Sequence, residues 1–311
     1  MRNGQFKQSL RTAMGELRFR LGGSAGTRRN IQRILKTVGL GVGYAAFVEP
    51  SLVETTQVPV TIASLRQVLD GYRIAHLTDL HYSKVSGARF ISRVVAKTRA
   101  LDPDLVAVTG DLIALNPRSL EQCLEALAEL DPPDGIWLVR GNHDYKASEA
   151  ALERACERAG VLWLKNEHRV IAPARLRSGA NAPQAQLIIG GVEDLWEGKC
   201  LPGEALAGAT DSLPTILLSH NPQVIRLLDR LSVDLVLSGH THGGQIRPLG
   251  RSIKTLSDGS REFSSGRIER GRTVLYVSRG VGTSAFRLRW NCRPEIALIT
   301  LHPAVAPHAG R

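Results

Sequence analysis

The chain has 311 residues, 43% of them hydrophobic and 22% charged, with a formal net charge of +11. That is enough apolar chain to bury one large α/β core and still carry an appendage. Four widely scattered cysteines (Cys123, Cys156, Cys200, Cys292) form no CxxC pair, so neither a zinc knuckle nor a disulfide framework is encoded.

The positive surplus is uneven, and its placement matters more than its size. Residues 1–36 hold nine basic residues against Glu16 alone, and the stretch from Arg247 to Arg293 holds eleven against three acids. The segment between these blocks is net negative, with nineteen basic and twenty-four acidic residues. It contains the carboxylates and histidines with which cations could be held.

In the amino-terminal arm, residues 1–36, Phe6, Leu10, Met14, Leu17 and Leu21 recur at three- and four-residue steps among Lys and Arg. This predicts a basic amphipathic helix suited to an anionic membrane surface; a solvated basic tail is the plainer reading. The uncharged run Thr37–Val48 is too short to span a bilayer and reads as an interfacial anchor, which with a linker occupies 37–60. Residues 1–48 together are the expected membrane contact, on the cytoplasmic face. Arg28 and Arg29 weakly resemble a twin-arginine export signal, so export is the competing route. GLGVG at Gly39–Gly43 lacks the spacing and preceding strand of a dinucleotide fingerprint.

The main domain is expected over 61–303, followed by a short tail, 304–311. Short β-rich runs alternate with helical ones, the mark of a layered α/β fold. Strands are predicted at 73–78, 105–109, 136–140, 187–192, 215–219, 235–238, 273–278 and 296–301. Helices are predicted at 89–100, 119–129, 148–159 and 222–231. The Arg247–Arg293 block can hold phosphate groups at the mouth of the site, face a bilayer or form a plain solvated surface; Phe286, Leu288 and Trp290 alternating with Arg287 and Arg289 suggest a lipid-contacting edge.

Polar residues fall directly after the apolar runs: Asp79, Asp111, Asn142, His220 and His240. Ligands bind beyond the carboxyl ends of strands in open α/β sheets, so these pieces can converge on one crevice. Asp79 and His81, two apart in an extended segment, can grip one cation together. Asp111 has two carboxylate oxygens and can bridge two cations; alone it would more often cap a helix. Asn142 offers a neutral amide oxygen, His143 beside it a group titrating near neutrality, and His220, His240 and His242 three imidazoles. Each piece by itself has a bland reading as a turn or core residue. Five strand ends presenting Asp, Asn or His together do not.

The ordered blocks DLH (79–81), GD (110–111), GNHD (141–144), SHNP (219–222) and GHTHGGQ (239–245) resemble the calcineurin-like metallophosphoesterases. SRGVGTS at 278–284 and RPEI at 293–296 are similar to the membrane-anchored bacterial branch of that family, which includes broad phosphodiesterases and enzymes similar to the hydrolases of UDP-2,3-diacylglucosamine. The resemblance implies an α/β layered sandwich of two mostly mixed β-sheets flanked by helices. It implies one metal ion on Asp79, His81 and His242, another on Asn142, His220 and His240, and Asp111 between them. His143 would be the catalytic histidine, with Asp144 as its helper.

Two divalent cations so held would clamp the attacking and departing oxygens of an in-line displacement and acidify a water. Oxygen and imidazole donors suit Mn²⁺, Fe or Zn²⁺, with Mn²⁺ favoured. The expected substrate is a phosphate ester, lipid- or nucleotide-linked, cleaved as by a phosphodiesterase or pyrophosphatase. A nuclease of the same fold is the nearest rival, but the ligand-bearing stretch is net negative, so nucleic acid is not the expected partner. A binding scaffold with a decayed site is the rival from another class, and the intact ligand blocks speak against it.

Overall fold

The computed structural model describes residues 39–83, 87–176, 185–250, 252, 262–284 and 286–304. The expected amphipathic arm and twin-arginine pair lie outside these residues. Two compact units are distinguished, Met1–Ala46 and Phe47–Arg311. In the first, residues 39–46 are helical, with Leu40 and Val42 exposed. Among the described residues no helix is long and apolar enough to cross a membrane.

The second unit is built on two six-stranded sheets. The first contains β1 (Glu54–Ile62), β2 (Tyr72–Leu77), β3 (Leu105–Val108), β4 (Ile136–Leu138), β5 (Val161–Trp163) and β12 (Glu295–Pro303), in the order β1-β12-β2-β3-β4-β5. The second contains β6 (Glu167–Ile171), β7 (Leu187–Gly191), β8 (Thr215–Leu218), β9 (Leu235–Ser238), β10 (Gly266–Arg270) and β11 (Thr273–Val277), in the order β10-β11-β9-β8-β7-β6.

Strands β2 to β5 run parallel, and so do β7, β8, β9 and β11. Antiparallel β6 and β10 close the edges of the second sheet, and β12 is antiparallel to β2 but parallel to β1. Both sheets are therefore mixed, as the resemblance implied.

Three helices carry the crossovers of the first sheet: α1 (Ala88–Arg99), α2 (Leu120–Ala128) and α3 (Glu149–Ala159). Each buries a stripe at helical spacing; in α1 it is Ile91, Val94, Val95 and Thr98. Helix α3 starts at Ser148, whose side chain accepts from Ala151 N–H, and ends at Gly160 in the left-handed region. The strand residues alternate between two cores. In β3, Val106 and Val108 join the helices, whereas Leu105 and Ala107 meet Ile216, Leu218 and Leu235 of the opposite sheet. Every β3 residue is buried, which is why the sequence reads there as a continuous apolar run. A third core lies behind the second sheet, where Val224, Ile225 and α4 (Pro202–Ala205) cover Ile188, Leu217 and Val236.

Three expectations need correction. Residues 54–60, assigned to a linker, form most of β1, paired along its whole length with β12. Pro59 is tolerated because β1 is an edge strand. The helix expected over 222–231 is a 3₁₀ segment, Pro222–Leu227, continued by i→i+3 bonds to Leu231. Finally, 286–290 is not an exposed alternating edge, because Arg289 is completely buried. Its guanidinium donates to the carbonyls of Arg279, Gly280, Gly282 and Cys292. Phe286 and Trp290 are exposed, as the pattern suggested.

Candidate metal centre

Every predicted ligand leaves the carboxyl end of a strand: Asp79 and His81 follow β2, Asp111 β3, Asn142 β4, His220 β8, and His240 and His242 β9. Parallel pairing aligns those ends, so five distant segments open onto one place. The chain must turn sharply there, and Asp79, His81, Asp111, His240 and His242 all have positive φ, between 44° and 70°. For residues with a Cβ this conformation is strained, and it persists because the surroundings fix it. At Gly280, with φ +68°, a Cβ would lie 2.7 Å from Asp79 Cβ. At Gly239 a Cβ would collide with the side chains of Thr78 and Asp79. Both glycines let loops of the second sheet press against the Asp79 loop of the first.

The side chains form two groups. In one, His81 Nε2 and His242 Nε2 are 2.9 Å apart, with Asp79 Oδ1 3.3 Å from the latter and Asp111 Oδ2 3.4 Å from the former. In the other, Asn142 Oδ1, His220 Nε2 and His240 Nδ1 are mutually separated by 3.0 to 3.2 Å, with Asp111 Oδ1 3.5 Å from His220 Nε2. Asp111 thus offers one oxygen to each group. Two buried His/Asp triplets with metal-ligand spacing, Asp79/His81/His242 and Asp79/Asp111/His220, lie within this arrangement.

The electrostatics fit cations. Burial, and then the neighbouring His143 and His220, hold His81 well below the ordinary imidazole range. Burial, with His81 beside it, does the same to His242. Burial and His220 push His240 down to about 2. With their pKa values held down, the facing Nε2 atoms of His81 and His242 can share one proton as an N–H···N bond, and a cation in its place would take both lone pairs. Burial also raises Asp79, and raises Asp111 well above the carboxylate range, where Asp144 and Asp79 add repulsion. Burial opposes charge at His220 as well, but Asp111, Asp79 and Asp194 outweigh it and bring the ring up to about 9. Divalent cations between these carboxylates and rings would supply compensating positive charge in place of protons. His220 Nδ1–H donates to Thr109 O at 2.7 Å, so a cation would displace only the Nε2 proton and meet a lone pair aimed inward.

His143 stands beside both groups and is only half-buried. Its backbone N–H donates to Asp111 Oδ1 at 2.8 Å, and its ring packs edge-on against His81 with centroids 4.7 Å apart. Nδ1–H donates to Ala114 O at 2.7 Å, so Nε2 is the nitrogen left for chemistry. Burial, and Lys146 nearby, lower its pKa. Asp144 turns elsewhere: its carboxylate accepts from the backbone N–H groups of Gly141 and Ile113 and so locks the turn that carries Asn142 and His143.

Sequence reasoning missed Trp196, whose indole meets the His240 ring edge-on at 4.3 Å between centroids. Asp194 holds it there by accepting from Trp196 N–H and Glu197 N–H. The signal was present, because Glu193 and Asp194 follow the apolar β7 just as the ligands follow their strands. Arg289 was misassigned rather than missed: it clamps the 279–282 loop against Asp79, and no local pattern announces that role.

Residues 72–244 match the calcineurin-like phosphoesterase family. The chain is 32% identical to the metallophosphoesterase YkuE of Bacillus subtilis, over 85% of this chain and 91% of that one. It is 32% identical to the phosphodiesterase YaeI of Escherichia coli, over 88% and 98%. It is 28% identical to the UDP-2,3-diacylglucosamine pyrophosphatase LpxG of Chlamydia trachomatis, over 89% and 97%. With the ligand blocks brought together in the crevice and the family matched over most of the core, the chain belongs to the calcineurin-like phosphoesterases and is a metal-dependent phosphoester hydrolase.

Proposed function

We propose that this hydrolase is a phosphodiesterase or pyrophosphatase acting on a lipid- or nucleotide-linked phosphate ester with two divalent cations, Mn²⁺ favoured over Fe or Zn²⁺. The observation that carries the reading is the division of Asp111 between two buried donor groups. In this reading Asp79, His81 and His242 hold one ion, Asn142, His220 and His240 hold the other, and Asp111 bridges them. When bound, the ions polarise the phosphoryl oxygens and acidify water.

The chain's own residues do the rest. Asp79 is fixed by His240 N–H and the Thr78 hydroxyl, so its carboxylate is oriented before any ligand arrives. His143, anchored through Nδ1, would deliver a proton from Nε2 to the departing oxygen. Asp144 keeps the turn beneath it in place. The relatives named phosphodiesterase and UDP-2,3-diacylglucosamine pyrophosphatase support the substrate class. Membrane contact through residues 1–48, with twin-arginine-like export as the competing route, belongs to the same reading.

The test is metal analysis of the purified protein, followed by assays with Mn²⁺ on a monoester, a diester and UDP-diacylglucosamine side by side. Diester or pyrophosphate cleavage well above monoester cleavage is the expected result. Metal-free protein inert towards all three would leave only a binding scaffold.

A further inference from the structure

An exposed apolar surface lies immediately beyond the metal-ligand loop of β9, on the catalytic unit itself. Phe286 is 72% exposed, Phe47 71%, Trp290 41%, and Leu249 fully exposed, with Ile246 beside them. These residues come from three segments that hydrogen bonds tie together. Ile246 and Trp290 form a β-bridge, and Trp290 N–H donates to Gln245 O. Gln245, buried, accepts from Ser284 N–H through its side chain and donates to the carbonyls of Ser284 and Phe286. Arg287 donates to the Ser51 hydroxyl, which in turn donates to Phe47 O. The patch is thus anchored three residues from His242, and Cys292 Sγ reaches His242 O from the same side.

Its charge is one-sided. Arg247, Arg287 and Arg293 flank the apolar side chains, neither 245–251 nor 286–293 contains an acid, and Glu49 of the third segment is buried, accepting from Cys292 N–H. Monomeric proteins seldom expose so many large apolar side chains together without a partner. The amphipathic arm of this chain is a poor occupant, because it is itself strongly basic and would bring like charge to the arginines. A surface both apolar and anionic satisfies both halves of the patch, and that is the headgroup region of an anionic bilayer.

The geometry points to Phe47, Ile246, Leu249, Phe286 and Trp290, with their flanking arginines, as a membrane-docking face of the catalytic unit, which presents the His242 side of the centre to lipid headgroups. This rests on the lipid-linked reading of the substrate but needs no contribution from the arm. Exposed aromatic side chains insert at the interface, and each arginine adds attraction to anionic lipid.

Full-length protein is mixed with phosphatidylcholine vesicles with and without phosphatidylglycerol, and tryptophan emission is followed with brominated acyl chains as quenchers. Anionic vesicles should shift the emission to the blue and quench it, and a Trp290→Phe variant should lose most of that response. A Leu249→Ser/Phe286→Ser variant should bind anionic vesicles about tenfold more weakly, while hydrolysing a soluble diester like the parent. Vesicle binding through the arm with the Trp290 response absent would overturn the docking face while leaving the hydrolase reading intact. So would a concentration-dependent dimer that Phe286→Ser dissolves. Loss of soluble-diester hydrolysis in the serine variant would instead assign the patch to folding and likewise overturn the proposal.

Discussion

The two sheets contribute unlike halves of the centre. In the proposed centre the first supplies both carboxylates, Asp79 and Asp111, with His81, the Asn142 amide and His143; the second supplies only imidazoles, His220, His240 and His242. The carboxylates come from one side and most of the imidazoles from the other. The halves meet through direct contacts: His240 N–H donates to Asp79, His220 Nδ1–H to Thr109 O, and glycines 239 and 280 allow the loops to approach. Neither sheet alone has a complete set of donors, so the centre exists only while the sheets are stacked in register. The strain at five ligand residues is the local consequence, and the shared inter-sheet core is what sustains it.

The strongest way to break this division is to remove charge from the first half. Asp111→Asn should lose bound metal and about 10³-fold or more of turnover, read by metal analysis and diester hydrolysis; a fully active variant would remove the bridging role. His143→Ala sharpens the contrast from outside both ligand sets, since it should retain metal and still lose about 10²- to 10⁴-fold in kcat.

The joint between the sheets can be probed by pH. His76 on β2 is buried, bonded to Thr109 Oγ1 and edge-on to Tyr276 of β11. Burial lowers its pKa from 6.5 to about 4, against a smaller opposing pull from Glu295. The unfolded chain therefore takes up a proton that the folded chain refuses as pH falls from 6.5 to about 4. Stability present above that window is lost through it, by up to about 3 kcal/mol. Thermal unfolding of His76→Gln should show a shallower acid slope than the parent over the same window. The smallest effect is expected at the loop contact itself. Gly280→Ala, with its positive φ and a Cβ pressed on Asp79, should destabilise the protein by about 2 kcal/mol and weaken metal binding, read by calorimetry with and without added Mn²⁺.

Legibility followed burial. Strands β3, β8 and β9, buried throughout, stood out as apolar runs, and the ligands announced themselves by following such runs. The edge strands did not: β6 (EHRVI) and β10 (GRIER) are polar on their open faces, β5 is three residues long, and β1 is interrupted by Pro59. The 222–231 segment has helix-like composition, yet it is wound as 3₁₀ in the connection between β8 and β9. Arg289 shows the limit most clearly. Its alternation with Phe286 and Trp290 suggested a solvated or lipid-facing side chain, whereas three carbonyl groups of the 279–282 loop and that of Cys292 draw it fully inside.

By itself the sequence determined which residues can ligate metal and the order in which the strands deliver them, because donor chemistry and apolar periodicity are local properties. Tertiary structure alone decided that Asp111 faces both donor groups, that Asp144 serves the turn rather than the crevice, that Trp196 packs on His240, and that Arg289 is interior. Each of those outcomes depends on the approach of segments far apart in the chain, and the stacking of two sheets sets that approach.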